Sequence, residues 1–180
     1  HREQLAISQQ MEKRERVFRE HRLFDKLTPL GGADYLKRQV SDCLSHSLEH
    51  QQPLSLLARD LDHFASINQQ YGHPEGDAVL QAISQLLLLN LRRHDLLCRL
   101  AGDRFVMVLP NTGERQARLL AQEMEQAVQS LAHKTRLQGE RVYLCASTAV
   151  VMAVDETPDA LLKRLNLALA RAKPPRIQRA

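Results

Sequence analysis

The sequence predicts an α+β domain: a central, mainly antiparallel sheet with surrounding helices, preceded by an N-terminal connector helix. Three observations carry this reading. Apolar residues recur at helical spacing over several stretches. Two short β-like apolar runs flank a Gly-Asp pair in LLCRLAGDRFVMVLP (96–110), as in a tight hairpin. The elements follow one another as α, β, α, β-hairpin, α, β, α, an order that places the helices on one side of the sheet.

Residues 1–24 hold good helix formers without Gly or Pro, and a sparse apolar seam of Leu5, Ile7, Met11, Val17, Phe18, Leu23 and Phe24. Such a stripe suits a connector or coiled coil rather than a core helix. Residues 25–32 form a loop broken by Pro29 and two glycines. A helix follows over about 33–50, with Tyr35, Leu36, Val40, Leu44 and Leu48 on one face. PLSLLARDLD (53–62) is a buried strand ending in carboxylates. A short helical piece, a loop YGHPEGD at 71–77 and a long amphipathic helix to about Arg92 come next. Beyond the hairpin lie a helix over about 113–133, a turn at Gly139 and a strand pair within 141–154. Thr157-Pro158 starts the last helix, as an N-cap followed by proline at the first helical position. Two domains result: the connector at 1–24 and the α+β unit at 25–180.

Composition narrows the function classes. The 180 residues are 43% apolar and 26% charged, with a formal charge of +4 and pI near 9.2. The charges are mixed along the chain, which argues against a nucleic-acid arm and suits small polyphosphate ligands. Cys43, Cys98 and Cys145 are scattered in apolar runs without zinc spacing, and read as free thiols of a reducing cytoplasm. No signal peptide is evident, and the apolar run LQAISQLLLLNL (80–91) is too short and interrupted to span a bilayer. The chain opens on His1 rather than Met, so the expectation is a cytoplasmic fragment of a longer protein, free or tethered to the inner membrane by an upstream sensor or membrane domain.

Asp60 and Asp62 stand two apart at a strand end, and Asp103 sits at the tip of the hairpin. Carboxylates grouped this way can hold Mg²⁺ beside substrate phosphates, or can simply cap turns. The longer strings decide more. RDLDHFASINQQYGHPEGDAVL (59–80) and RRHDLLCRLAGDRFVMVLP (92–110) resemble the GGDEF domain of diguanylate cyclases. The family pattern D-x-D-x-F, I-N, G-H-x-x-G-D-x-V-L is met by Asp60, Asp62, Phe64, Ile67, Asn68, Gly72, His73, Gly76, Asp77, Val79 and Leu80. Arg99 to Phe105 match the signature turn, and weaker echoes extend the resemblance over about 25–177.

The resemblance implies a palm-like nucleotidyl-cyclase fold and the condensation of two GTP, one on each of two facing domains, to cyclic di-GMP and pyrophosphate. It implies that Asp60, the Leu61 carbonyl and Asp103 ligate Mg²⁺. Phe64, Asn68, Asp77 and Lys173 would bind substrate, Asn68 and Asp77 at the guanine edge and Lys173 at the phosphates. It also implies an inhibitory cyclic di-GMP site, since Arg92 and Asp95 form R-x-x-D at the family's register, though the same pair reads otherwise as a charged helix end.

The departures from the family pattern matter as much. Arg104 stands where the family has a catalytic glutamate, beside the catalytic position Asp103. Two unit charges about 4 Å apart at an effective dielectric of about 20 repel by about 4 kcal/mol, and a divalent ion more strongly. Ala65 replaces a phosphate-binding lysine, Gln69 an aspartate, Ala170 a tyrosine and Ala101 the first glycine. The expectation is therefore a divergent signalling domain, impaired or inactive in synthesis, that binds cyclic di-GMP and retains a remnant GTP site. An active cyclase and a ligand-free dimerisation module are the alternatives.

Overall fold

The computed structural model describes residues 30–62, 64–100, 103–134, 136–137, 139–141 and 144–173. The connector expected at 1–24 and the turn residues Ala101 and Gly102 lie outside them. Helix α1 spans Ala33–His50, strand β1 Leu54–Asp62, helix α2 Phe64–Tyr71 and helix α3 His73–Asn90. Strands β2 (Leu96–Arg99) and β3 (Arg104–Pro110) form the hairpin, followed by α4 (Glu114–Lys134). A short ribbon of β4 (Arg136–Leu137) and β5 (Glu140–Arg141) precedes β6 (Cys145–Met152) and α5 (Pro158–Ala172).

The central sheet has the order β2-β3-β1-β6, and every neighbouring pair is antiparallel. Strand β1 is buried along nearly its whole length, so both its faces need cover. Leu57, Leu61, Phe105, Met107 and Leu109 pack beneath α2, α3 and α4. Leu54, Leu56, Ala58, Val106, Val108, Ala149 and Val151 pack beneath α1 and α5. Helices thus lie on both faces of the sheet, which corrects the one-sided layering expected from element order.

Three further expectations are corrected. The segment 71–77 is not a loop: Gly72 alone interrupts the helices, with φ at 93°, and α3 begins at His73. Pro74 is tolerated because the first helical turn has no internal partner for its missing N–H. The strand pair expected within 141–154 is not found among the described residues there: Arg141 ends β5, and Cys145–Met152 is the single strand β6, which joins the central sheet beside β1. Leu48, expected on the buried face of α1, is 45% exposed, in the last turn before Gln51 ends the helix in a left-handed conformation.

The chain comes into the domain stitched to the hairpin. Gly31 forms a parallel bridge with Cys98, and the Arg99 N–H donates to the Gly31 carbonyl at 3.0 Å. The Tyr35 ring packs so closely that a side chain at Gly31 would lie 2.0 Å from it, so only glycine fits. At the other end, the Thr157 side chain accepts from the Ala160 N–H at 3.1 Å, the N-cap that Thr157-Pro158 predicts. No helix among the described residues is long and apolar enough to cross a membrane.

Candidate functional site

Register builds the first group of residues. Asp60 on β1 stands directly opposite Arg104 on β3, so both side chains share the face covered by α5. Lys173, at the end of α5, reaches down to the same place. Its Nζ lies 2.7 Å from Asp60 Oδ2, and Arg104 Nη2 lies 3.3 Å from that same oxygen. Arg104 Nη1 also donates to Asn166 Oδ1 on α5 at 3.5 Å. Asp103 joins from the hairpin tip: its carbonyl accepts from the Leu61 N–H at 3.3 Å. A strand residue's N–H and C=O turn to the same neighbour, so the Leu61 carbonyl also faces the hairpin. Asp62 does not belong to this group, since Ser147 Oγ donates to both its oxygens at 2.9 and 3.2 Å.

The two carboxylates titrate in opposite directions. Burial pushes Asp60 up, but hydrogen bonds with Lys173 and Asp103 and the charges of Lys173 and Arg104 outweigh it and hold Asp60 below its ordinary value. Burial first, then the hydrogen bond and charge of Asp60, together push Asp103 up to about 6, against the lowering effect of Lys173. A divalent ion needs such oxygens free. Here Asp60 Oδ2 is already shared by two protein cations, and no cluster of three or more His, Cys, Asp or Glu forms a metal cage among the described residues. As arranged, Asp60, Leu61 and Asp103 do not fit Mg²⁺, because the Arg104 guanidinium supplies positive charge at the carboxylate the ion would use.

The second group lies at the junction of α2 and α3. Phe64 is buried, and Asn68 Oδ1 is buried with no hydrogen-bond partner. Gly76 sits tightly against both: a Cβ there would fall 1.8 Å from Asn68 Oδ1 and 3.3 Å from the Phe64 ring. Asp77 follows on the exposed side of α3. Ala65 and Gln69 are exposed on α2 and Ala170 on α5, so the substituted positions border solvent.

The third group is Arg92 and Asp95, beyond the end of α3. The resemblance assigns Asp95, with Arg92, to the inhibitory cyclic di-GMP site. The Asp95 side chain is 1% exposed, and it accepts from the Arg92 guanidinium at 3.1 Å on each oxygen and from the Arg92 N–H at 2.8 Å. Arg92 Nη2 also donates to the Pro110 carbonyl at 3.3 Å and to Thr112 Oγ1. The Arg92 side chain is still 57% exposed. The structure thus brings Asp60, Leu61, Asp103, Arg104 and Lys173 together, and Phe64 with Asn68 at the α2–α3 junction.

One charged residue went unread in the sequence. Arg59, on the opposite face of β1 from Asp60, is 1% exposed and lies 2.8 Å from Glu125 on α4. Burial lowers its pKa, against the raising effect of Glu125. A lone arginine inside the apolar run LSLLARD was the available signal.

Two carboxylates and two cations thus meet where the two central strands of an α+β domain end. The family follows from sequence: the profile described as "Diguanylate cyclase, GGDEF domain" matches residues 22–178, and the chain belongs to that family. The response regulator PleD of Caulobacter vibrioides is 32% identical over 151 residues, covering 83% of this chain and 33% of PleD. A diguanylate cyclase of Vibrio cholerae is 32% identical over 149 residues, covering 83% of this chain and 46% of that protein. The chain therefore spans less than half the length of these relatives. Among solved structures, the GGDEF domain of PA1120 from Pseudomonas aeruginosa superposes with a TM-score of 0.75 at 29% identity, covering 83% of this chain and 88% of that one.

Proposed function

We propose that this chain is a divergent GGDEF signalling domain, impaired or inactive in cyclic di-GMP synthesis, that binds cyclic di-GMP at Arg92 and Asp95 and guanine nucleotide at a remnant active site. The observation that carries the reading is the ion pair of Arg104 with Asp60, at the turn where the family has a glutamate. Synthesis needs counter-charge on the reacting phosphates and two substrates held face to face. Here one metal-binding oxygen is already engaged, and Ala65 lacks the amine that would reach a phosphate.

Several features support retained binding. Asn68 keeps a buried oxygen without a partner beside Phe64, Asp77 is exposed near the start of α3, and Lys173 stands against Asp60. Arg92 holds its guanidinium in one orientation against Asp95 while more than half of its side chain faces water. That posture suits a fork onto a guanine or phosphate, with Asp95 orienting the arginine. The module acts as a homodimer on the cytoplasmic side, driven by an upstream sensor through residues 1–24.

The test combines product chromatography with calorimetry. The unmodified domain at millimolar Mg²⁺ is expected to make no detectable cyclic di-GMP, and Arg104→Glu to restore it at most partly, because Ala65 stays. Cyclic di-GMP is expected to bind, and Arg92→Ala to weaken it at least tenfold, with Arg93→Ala much milder. Robust turnover by the unmodified domain would establish an active cyclase instead, and absence of any ligand binding would leave a dimerisation module.

A further inference from the structure

The Asp60 cluster has a charge balance unlike that of a metal site. Two carboxylates, Asp60 and Asp103, face two protein cations, Arg104 and Lys173. A glutamate at position 104 would leave three carboxylates against one lysine, a surplus of negative charge that only a divalent ion could offset. With arginine the cluster is already balanced, so an added divalent ion would find no surplus negative charge to offset and would have to displace two cations from Asp60.

Neither cation is consumed by this arrangement. The Arg104 side chain is 31% exposed, and among the described residues its terminal nitrogens bond one to Asp60 and one, at a long 3.5 Å, to Asn166. Lys173 is 44% exposed, and among the described residues its ion pair is with Asp60. Guanidinium carries five N–H donors and ammonium three, so most remain for a ligand. Both point at one carboxylate oxygen from different elements, β3 and the end of α5, and so converge on one spot at the end of β1. Two convergent, half-exposed cations anchored by a buried carboxylate make a preformed seat for a polyphosphate.

We propose that Arg104, with Lys173, takes the place of the divalent ion, so that this site holds the phosphates of a nucleoside triphosphate through protein cations alone and needs no metal. The proposal rests on the guanine-nucleotide reading given above and adds the means of binding to it. It also separates binding from turnover: a guanidinium can neutralise a bound triphosphate, but it is no Lewis acid and would not lower the pKa of an attacking hydroxyl as a divalent ion would.

The experiment is titration calorimetry with GTP on the unmodified domain, once with EDTA and once with millimolar Mg²⁺, repeated on Arg104→Glu and Arg104→Ala, with circular dichroism to establish that each variant is folded. The unmodified domain is expected to bind GTP in EDTA with a Kd within about threefold of that in Mg²⁺, or tighter. Arg104→Ala should weaken binding in EDTA at least tenfold. Arg104→Glu should abolish it in EDTA and recover it when Mg²⁺ is added. Binding by the unmodified domain that requires Mg²⁺ by tenfold or more would overturn the metal-free seat while leaving the nucleotide reading intact. No binding in either condition would remove the nucleotide reading itself, and this inference with it. Should both variants unfold, the two titrations on the unmodified domain still decide.

Discussion

Two arginine–aspartate pairs lie at opposite ends of the β2–β3 hairpin, and they use the same chemistry differently. At one end Asp95 is enclosed and both its oxygens go to a single arginine, whose backbone N–H also donates to it. At the other, Asp60 divides one oxygen between Arg104 and Lys173 and borders a second carboxylate. The first pair is a bidentate clasp that fixes the chain between α3 and β2. The second is a loose cluster with donors to spare. Sequence distance accounts for the contrast: three residues separate Arg92 from Asp95, so local geometry sets their pairing, whereas Asp60, Arg104 and Lys173 meet only because the sheet brings them together.

The largest expected effect tests the clasp. Arg92→Ala should destabilise the fold by about 2 kcal/mol in urea unfolding, because it strands the enclosed Asp95 carboxylate. An unchanged midpoint would mean that Asp95 finds other partners and that the pair is merely a charged helix end. The loose cluster should yield less. Asp60→Ala should cost within about 1 kcal/mol, since Arg104 and Lys173 can both turn to water. A loss as large as that of Arg92→Ala would erase the distinction between the two pairs.

The smallest effect depends on pH. The Asp103 carboxyl titrates near 6 in the folded chain against an ordinary value of 3.8, so the folded state keeps a proton that the unfolded state releases. Its contribution to stability is complete below pH 3.8 and is lost as pH rises through about 6. Asp103→Asn should remove that slope, gaining about 1 kcal/mol above pH 6 after solvent screening and nothing near pH 3.8. Thermal unfolding across this range checks it. Parallel curves for both proteins would show that Asp103 does not share its proton with Asp60.

Much of this was legible in the sequence because it is written in short-range pattern. The apolar spacing of α1, the Thr157-Pro158 cap and the hairpin around Asp103 all depend on neighbours a few residues apart. Where Pro74 and Gly76 suggested a break, the helix continues: the proline falls in the first turn, and the glycine answers to Asn68 and Phe64 on another helix. The same limit hid the cations. Arg104 was visible as a substitution, but its bond to Asp60 required the β1–β3 register, and Lys173 had to arrive from the far end of α5. The two-sided cover of the sheet was present in the near-continuous apolar run of β1, a signal that element order alone obscured.

The stitch at Gly31 has a mechanical meaning. A peptide chain pulled or twisted ahead of Leu30 would have its motion absorbed first by whatever it is bonded to, and here that is the β2 strand of the hairpin. The hairpin behaves as a short lever: its β2 arm takes the load at Cys98 and Arg99, and its tip carries Asp103 toward Leu61. Backbone hydrogen bonds therefore join the domain's threshold to the strand pair that ends at Asp103, by way of Cys98 and Arg99.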